Sequence, residues 1–232
     1  MKHIVILTGA GISAESGIQT FRDADGLWEN HNVQDVASPE GFARNPEMVL
    51  RFYNERRQQL LKVKPNAAHF ALAELEQVYK VTIVTQNIDD LHERGGSSSI
   101  VHLHGELLKS RSVKSDKTNF DCRTDIKLGD KAPDGGQLRP DIVWFGESVP
   151  KIMAAAFAVQ IADIILVIGS SMQVYPAAGL VGYAKPNTPV IYIDPKPAVN
   201  YEMQSNKNLR IIAEKATIGV RQVVDELLES LV

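Results

Sequence analysis

Four apolar residues, Ile4-Val5-Ile6-Leu7, lead without a linker into Thr8-Gly9-Ala10-Gly11-Ile12-Ser13-Ala14. A run that apolar has no wet face, so helices must cover both sides of the sheet it joins. Gly9, Gly11 and Ala14 satisfy G-x-G-x-x-G/A directly after a strand. Gly9 allows the tight turn, and Gly11 lets the backbone approach a pyrophosphate. Amides at the following helix start then face the anion. A plain glycine-rich strand-to-helix turn would look the same in isolation.

The same kind of run recurs at residues 81–85, 100–103, 164–168, 190–193 and 209–212, the last interrupted by Arg210 as an edge strand would be. Helical stretches lie between them. One covers residues 46–61 with Met48, Phe52 and Leu60 among its apolar positions. Another covers 67–78 with Phe70, Leu72 and Leu75, and a last one covers 217–231 with Val220, Val223, Val224, Leu227, Leu228 and Leu231. Residues 20–39 read as a long loop over the sheet, and long loops in compact domains carry function. Residues 109–136, rich in Lys, Asp, Ser and Gly, read as an insertion with a thin core and the least order.

The class is α/β: a Rossmann-like parallel sheet with helices on both faces plus a small inserted module. Residues 1–232 are expected to form a single catalytic domain. Its Rossmann-like core would cover about 1–30, 80–105 and 146–232, with a helical segment at about 38–79 and the small module at about 106–145.

A net charge of −3 with scattered Lys and Arg gives nothing to draw nucleic acid or an anionic membrane. Cys122 is the only cysteine, which excludes an intrachain disulfide. No apolar run approaches a membrane span. Met1-Lys2-His3 enters the first strand with no signal-like segment, so the expectation is a cytoplasmic protein, taken as a monomer.

A dehydrogenase of this fold needs a second strand soon after the turn, ending in an acidic residue for the ribose. Here that stretch is Phe21-Arg22-Asp23-Ala24-Asp25-Gly26-Leu27-Trp28, which does not read as a strand. The other motifs sit at later strand ends: Gln86-Asn87-Ile88-Asp89, Leu103-His104-Gly105, Gly169-Ser170-Ser171 and Asp194. Ligands of open α/β sheets bind beyond those carboxyl ends, so the motifs converge on one crevice.

Taken in order, the motifs resemble those of the sirtuins. The resemblance rests on residues 9–18 with Phe21-Arg22, then Gln86–Asp89 and Leu103-His104-Gly105. It continues through Arg139-Pro140-Asp141-Ile142-Val143-Trp144-Phe145-Gly146-Glu147, Gly169-Ser170-Ser171 and Val174-Tyr175-Pro176-Ala177-Ala178. It extends from residue 4 to about 195 and weakens in the insertion.

The resemblance implies NAD as co-substrate and acyl-lysine proteins or peptides as partners. An acyl oxygen would attack C1′ of the nicotinamide ribose as nicotinamide leaves. His104 would serve as general base for the ribose 2′-oxygen to attack the imidate carbon, and water would then release 2′-O-acyl-ADP-ribose and free lysine. Imidazole suits the task because its ordinary pKa lies near working pH. Asn87 would share the catalytic role with His104. Gly9, Ala10, Gly11, Ser13, Ala14, Phe21, Arg22, Trp28, Gln86, Asn87, Ile88, Asp89, Gly169, Ser170, Ser171, Asp194 and Ala216 are the expected cofactor residues. His102 reads as structural, Asp89 as a possible helix cap, and Asp194 equally as an Asp-Pro turn.

Tyr53 and Arg56 lie at i, i+3 on one predicted helix, and they resemble the pair of those sirtuins that accept succinyl or malonyl groups. Guanidinium pairs bidentately with carboxylate. Ala37 stands where that subgroup has a small residue, and Arg57 receives no role. Val143, Phe145, Gly146 and Glu147 would flank an extended peptide with Val174 and Tyr175. Most sirtuins hold a four-cysteine zinc in the insertion. This chain has only Cys122 there and no histidine after His104, so no metal is expected. The competing readings are an NAD glycohydrolase or ADP-ribosyltransferase, and a non-catalytic NAD or ADP-ribose binding module.

Overall fold

The computed structural model describes residues 1–19, 27–28 and 31–230. The chain begins with β1 (His3–Thr8), followed by a short antiparallel pair, β2 (Leu27–Trp28) and β3 (His31–Asn32). Helices α1 (Val33–Val36), α2 (Pro39–Arg44), α3 (Pro46–Leu60) and α4 (Ala67–Glu74) lead to β4 (Lys80–Thr85), α5 (Leu91–Arg94) and β5 (Ile100–His102). The insertion contains β6 (Gly105–Ser112), β7 (Ser115–Asp121) and β8 (Leu138–Ile142). The chain then returns through α6 (Ile152–Gln160), β9 (Ile164–Ile168), β10 (Val190–Ile193), α7 (Tyr201–Gln204), β11 (Leu209–Ile212) and α8 (Ala216–Glu229).

The main sheet has six parallel strands in the order β11-β10-β9-β1-β4-β5. Alternation along β1 decides its two faces. Ile4 and Ile6 point to a core with Leu72, Leu75, Val220 and Val224, while Val5 and Leu7 point to one with Ala155, Val159, Leu180 and Val181. Fully burying each such side chain stabilises by ~1.5–3 kcal/mol. From β1 the chain builds outward through β4 and β5, then restarts on the other side at β9. The reversal falls between β1 and β9, where open α/β sheets place their ligands.

Two expectations need revision. Residues 20–39 are more than a loop: the described part contains β2, β3 and α1, the last capped by Asn32 accepting from the Gln34 amide. The other described helix starts in this region follow the same local chemistry. Ser38, Asn45 and Asn66 each accept an amide of the first turn, and Pro39 and Pro46 occupy the opening positions. The insertion, read as a thin and poorly ordered segment, forms a three-stranded antiparallel sheet in the order β7-β6-β8. Ile126 and Cys122 pack on Leu50 of α3, and Asn54 of α3 bonds both the amide and the carbonyl of Ile126. Its core is shared with the helical segment, which a reading of the insertion alone does not reveal. The helix expected to run to residue 78 becomes a 3-10 turn at Leu75–Gln77, and Leu231 lies outside the described residues.

Candidate functional site

At the reversal point two backbone turns pack directly on each other. The Gly9 amide donates to the Ile168 carbonyl at 3.0 Å, and the Gly11 amide to the Gly169 carbonyl at 2.8 Å. A Cβ on Gly11 would lie 2.6 Å from Gly169 Cα, and Gly169 itself holds a φ of +59°. Only glycine permits that approach, which leaves the turn's remaining amides beside the cleft.

The ends of β1, β4 and β9 are then joined by side chains. Gln86 Nε2 donates to Ser170 Oγ at 3.0 Å. Asn87 Nδ2 donates to the Gly9 carbonyl at 3.2 Å and to Ser13 Oγ at 3.3 Å. Ser13 Oγ passes its own proton to Asp89 Oδ2 at 2.9 Å. Asp89 caps α5 as well, accepting the Leu91 amide at 3.1 Å, so the capping reading and the site reading both hold geometrically. Burial raises the Asp89 carboxyl to about 6 despite the bonds from Leu91 and Ser13. Ile88 is tied through its carbonyl to the Leu107 amide at 2.8 Å.

His104 is half-buried just past β5. Its Nδ1 lies 3.0 Å from the Gln86 carbonyl, which only accepts, so that nitrogen carries the proton and Nε2 is left as a free base. Burial lowers its pKa, partly offset by the Gln86 bond, which keeps the ring neutral at neutral pH. The His104 carbonyl accepts the Val143 amide at 2.9 Å, and the Ala37 carbonyl accepts the Phe145 amide at 2.9 Å. Ala37, Val143 and Phe145 are thereby drawn to the same rim as the histidine. Phe145 is 41% exposed, Tyr175 59%, and Gly146 sits at φ +90°. The Tyr175 hydroxyl donates to Glu202, while Val174 is half-buried beneath it.

Neither Tyr53 nor Arg56 lies on a wetted helix face. Tyr53 is 0% exposed, and its hydroxyl accepts from Trp144 Nε1 at 2.9 Å. Burial raises the phenol's pKa far above its ordinary value, so it stays protonated. Arg56 has a side chain 17% exposed, with its guanidinium over the Phe52 ring at 4.8 Å. Nε and Nη1 are buried without a hydrogen-bond partner among the described residues. A narrow cavity of about 50 Å³ lies against this group, lined by Ile18, Trp28, Arg56, Ile88, Asp89 and Leu107. Trp28 meets Phe52 and Tyr53 edge-on at 5.0 and 5.9 Å.

Ala10, Ala14 and Ser171 flank the two turns, Ala216 opens α8, and Asp194 directly follows β10. Asp194 Oδ1 accepts the Lys196 amide at 2.8 Å, the turn geometry expected of Asp-Pro. Phe21 and Arg22 fall outside the described residues.

Arg57, given no role from the sequence, is fully buried. It donates Nε to the Leu107 carbonyl at 3.1 Å and Nη1 to Asn54 at 2.7 Å, fixing α3 to the insertion. Glu147 is likewise more than a rim residue. It accepts from both terminal nitrogens of Arg139, from Arg111 and from the Trp144 amide. Arg139 in turn stacks on Trp144 at 3.2 Å. No local periodicity points to either contact. In the insertion, Cys122 Sγ lies 3.4 Å from the Thr124 carbonyl. A four-ligand zinc site does not fit that donor set. Among the described residues no helix is long and apolar enough to cross a membrane.

Glycine-packed turns at the reversal of a parallel sheet, with an unprotonated imidazole nitrogen beside them, define a fold of the dinucleotide-binding class. Residues 9–176 match the Sir2 family, and the chain belongs to it. Over 229 residues it is 55% identical to a NAD-dependent protein deacylase of Helicobacter pylori, covering 99% of each chain. It superposes on a Sir2 homologue in complex with NAD with a TM-score of 0.88 at 37% identity, covering 100% of this chain and 91% of the other. A Sir2 protein bound to an acetylated peptide gives 0.78 at 30% identity, covering 96% and 92%.

Proposed function

We propose that this protein is a NAD-dependent protein-lysine deacylase that prefers the acidic succinyl and malonyl groups and accepts acetyl. Family membership and the full-length likeness to a named deacylase support the reaction class. NAD, when bound, supplies the ribose carbon to which the acyl oxygen is transferred. The chain's own part is positioning and proton handling. The Gly9–Gly11 turn and Ser170 cradle phosphate and ribose oxygens, while Gln86, Asn87 and Asp89 fix the nicotinamide ribose. His104 Nε2 accepts the ribose proton. Phe145 and Gly146, with Val174 and Tyr175, are the residues proposed to flank an extended peptide that adds as a strand.

The acyl preference rests on Arg56. A guanidinium with two buried nitrogens lacking a partner among the described residues costs ~1–3 kcal/mol unless a ligand satisfies them. Tyr53 reinforces it: with its lone pair occupied by Trp144, its proton is free to donate. A guanidinium lining a narrow cavity fits a carboxylate-ended acyl chain, with the Tyr53 phenol three residues away on the same helix. An NAD glycohydrolase has no use for such a pocket.

The small module is proposed to need no zinc, since α3 and the Arg139–Glu147 pair hold it instead. Stoichiometric metal in the pure protein, with activity lost on chelation, would refute that. The main test is mass spectrometry of one peptide bearing acetyl, malonyl, succinyl or no acyl group, incubated with NAD. Wild type should release nicotinamide and 2′-O-acyl-ADP-ribose together, and Arg56→Met should lose succinyl turnover while keeping acetyl. Equal losses would remove the carboxylate assignment. Nicotinamide release without peptide would favour the hydrolase, and NAD binding without turnover a binding module.

A further inference from the structure

Two histidines at the end of β5, two residues apart, hold neighbouring carbonyls of the cofactor loop. His104 Nδ1 lies 3.0 Å from the Gln86 oxygen and His102 Nδ1 3.3 Å from the Asn87 oxygen. They differ at the second nitrogen. Nε2 of His104 has no partner among the described residues, whereas Nε2 of His102 lies 2.7 Å from Glu93 Oε1. A backbone carbonyl only accepts, and so does a carboxylate, but neutral imidazole has one N–H to give. Both His102 bonds exist together only when that ring carries two protons.

We propose that His102 is a positioning residue, held as an imidazolium by Glu93, whose second N–H fixes the Asn87 carbonyl and through it the Asn87 carboxamide in the cleft. The carboxamide is gripped from its other end by the Gly9 carbonyl and Ser13. His102 therefore completes a clamp around a group 8% exposed that reaches the cofactor side. Loss of the second proton turns that contact round. The remaining N–H stays with Glu93, and a nitrogen lone pair faces the Asn87 oxygen.

The surroundings favour the charged ring. Glu93 comes from α5 and Glu106 from β6, the latter shared with Lys109 at 2.9 Å, and Asp89 lies on the loop between β4 and α5. The His92 imidazole of α5 is also near it, and burial keeps His92 neutral. Burial of His102 opposes its charge, but the Glu93 bond and charge outweigh this and raise its pKa. One strand end thus carries a charged and a neutral imidazole. Turnover fails in acid as His104 gains a proton and Asp89 is neutralised. It fails in alkali as His102 loses its second proton.

The test is kcat/KM for NAD from about pH 5 to pH 10 with one acylated peptide. Wild type should give a bell. Glu93→Gln should draw the alkaline limb down by about 1–2 pH units and leave the acid limb in place. His102→Gln should flatten the alkaline limb, because a carboxamide donates to the Asn87 oxygen at any pH. An alkaline limb unmoved in both variants overturns the proposal. Nitrogen NMR of histidine-labelled wild type, assigned through the backbone, needs no variant: two protonated nitrogens are expected on His102 at neutral pH. A single one overturns it.

Discussion

At the proposed cofactor end of the cleft, around Gly9, Gly11 and Gly169, the defining contacts run between main chains at 2.8–3.0 Å and leave no space for a side chain. At the proposed acyl end, around Tyr53, Arg56 and Trp144, they run between side chains, and the Tyr53–Trp144 bond joins residues 91 positions apart. The first half is rigid by sterics and indifferent to which acyl group is present. The second is adjustable by single substitutions. A cofactor common to a whole family suits the former, and substrate choice suits the latter. If the division is real, variants of each half should have effects that do not mix.

The largest effect is expected on the cofactor side. His104→Ala removes the proposed general base, and kcat should fall by roughly 10²–10⁴ for every acyl group alike. Thermal stability should barely move, since the side chain makes one bond, to Gln86. A loss confined to acidic substrates would break the comparison. Next comes Arg56→Met. A charge-assisted pair is worth ~1.5–3 kcal/mol, so succinyl and malonyl peptides should lose about 10–100-fold in kcat/KM. Acetyl should lose little.

Glu147→Gln should act through stability. Desolvation pushes the Glu147 carboxyl up, but the Arg139 bond, then the Trp144 amide and Arg111, hold it below its ordinary value. A lowered folded-state pKa means that this stabilisation is complete above the unfolded value. It disappears as pH falls through the folded one. The half-buried pair has a cost of removal below the ~3–5 kcal/mol of a fully buried one. Urea unfolding at pH 7 should show a loss that narrows as pH falls towards 4. A loss independent of pH would mean that packing, not the ion pair, holds the insertion.

The same division explains what was legible in the sequence. All six strands of the main sheet and the glycine turn announce themselves locally, by apolar runs and by G-x-G at a strand end. The His104 and Asn87 motifs were readable for the same reason: each lies immediately after a strand. The insertion's sheet was not, because β7 is mostly exposed and its stabilising partners, Leu50 and Asn54, belong to α3. Arg57 was passed over because burial of an arginine depends on a distant carbonyl, that of Leu107. Asp89 and His102 were assigned single roles, although each uses both of its polar atoms for different neighbours.

The smallest expected effect is the sharpest probe of the acyl half. Trp144→Phe keeps an aromatic face for Arg139 to cover and removes only the indole N–H. That N–H occupies the Tyr53 oxygen, which leaves the hydroxyl proton as what Tyr53 can offer a substrate. Without it the hydroxyl is free to rotate and spend its proton elsewhere. One neutral hydrogen bond is worth ~0.5–1.5 kcal/mol, so KM for succinyl-lysine should rise by about 2–10-fold while kcat holds. The acetyl substrate, which presents no carboxylate, should show neither change. An equal rise for both would mean that Trp144 merely shapes the pocket wall, and the polarity of Tyr53 would then be set by the substrate, not by the protein.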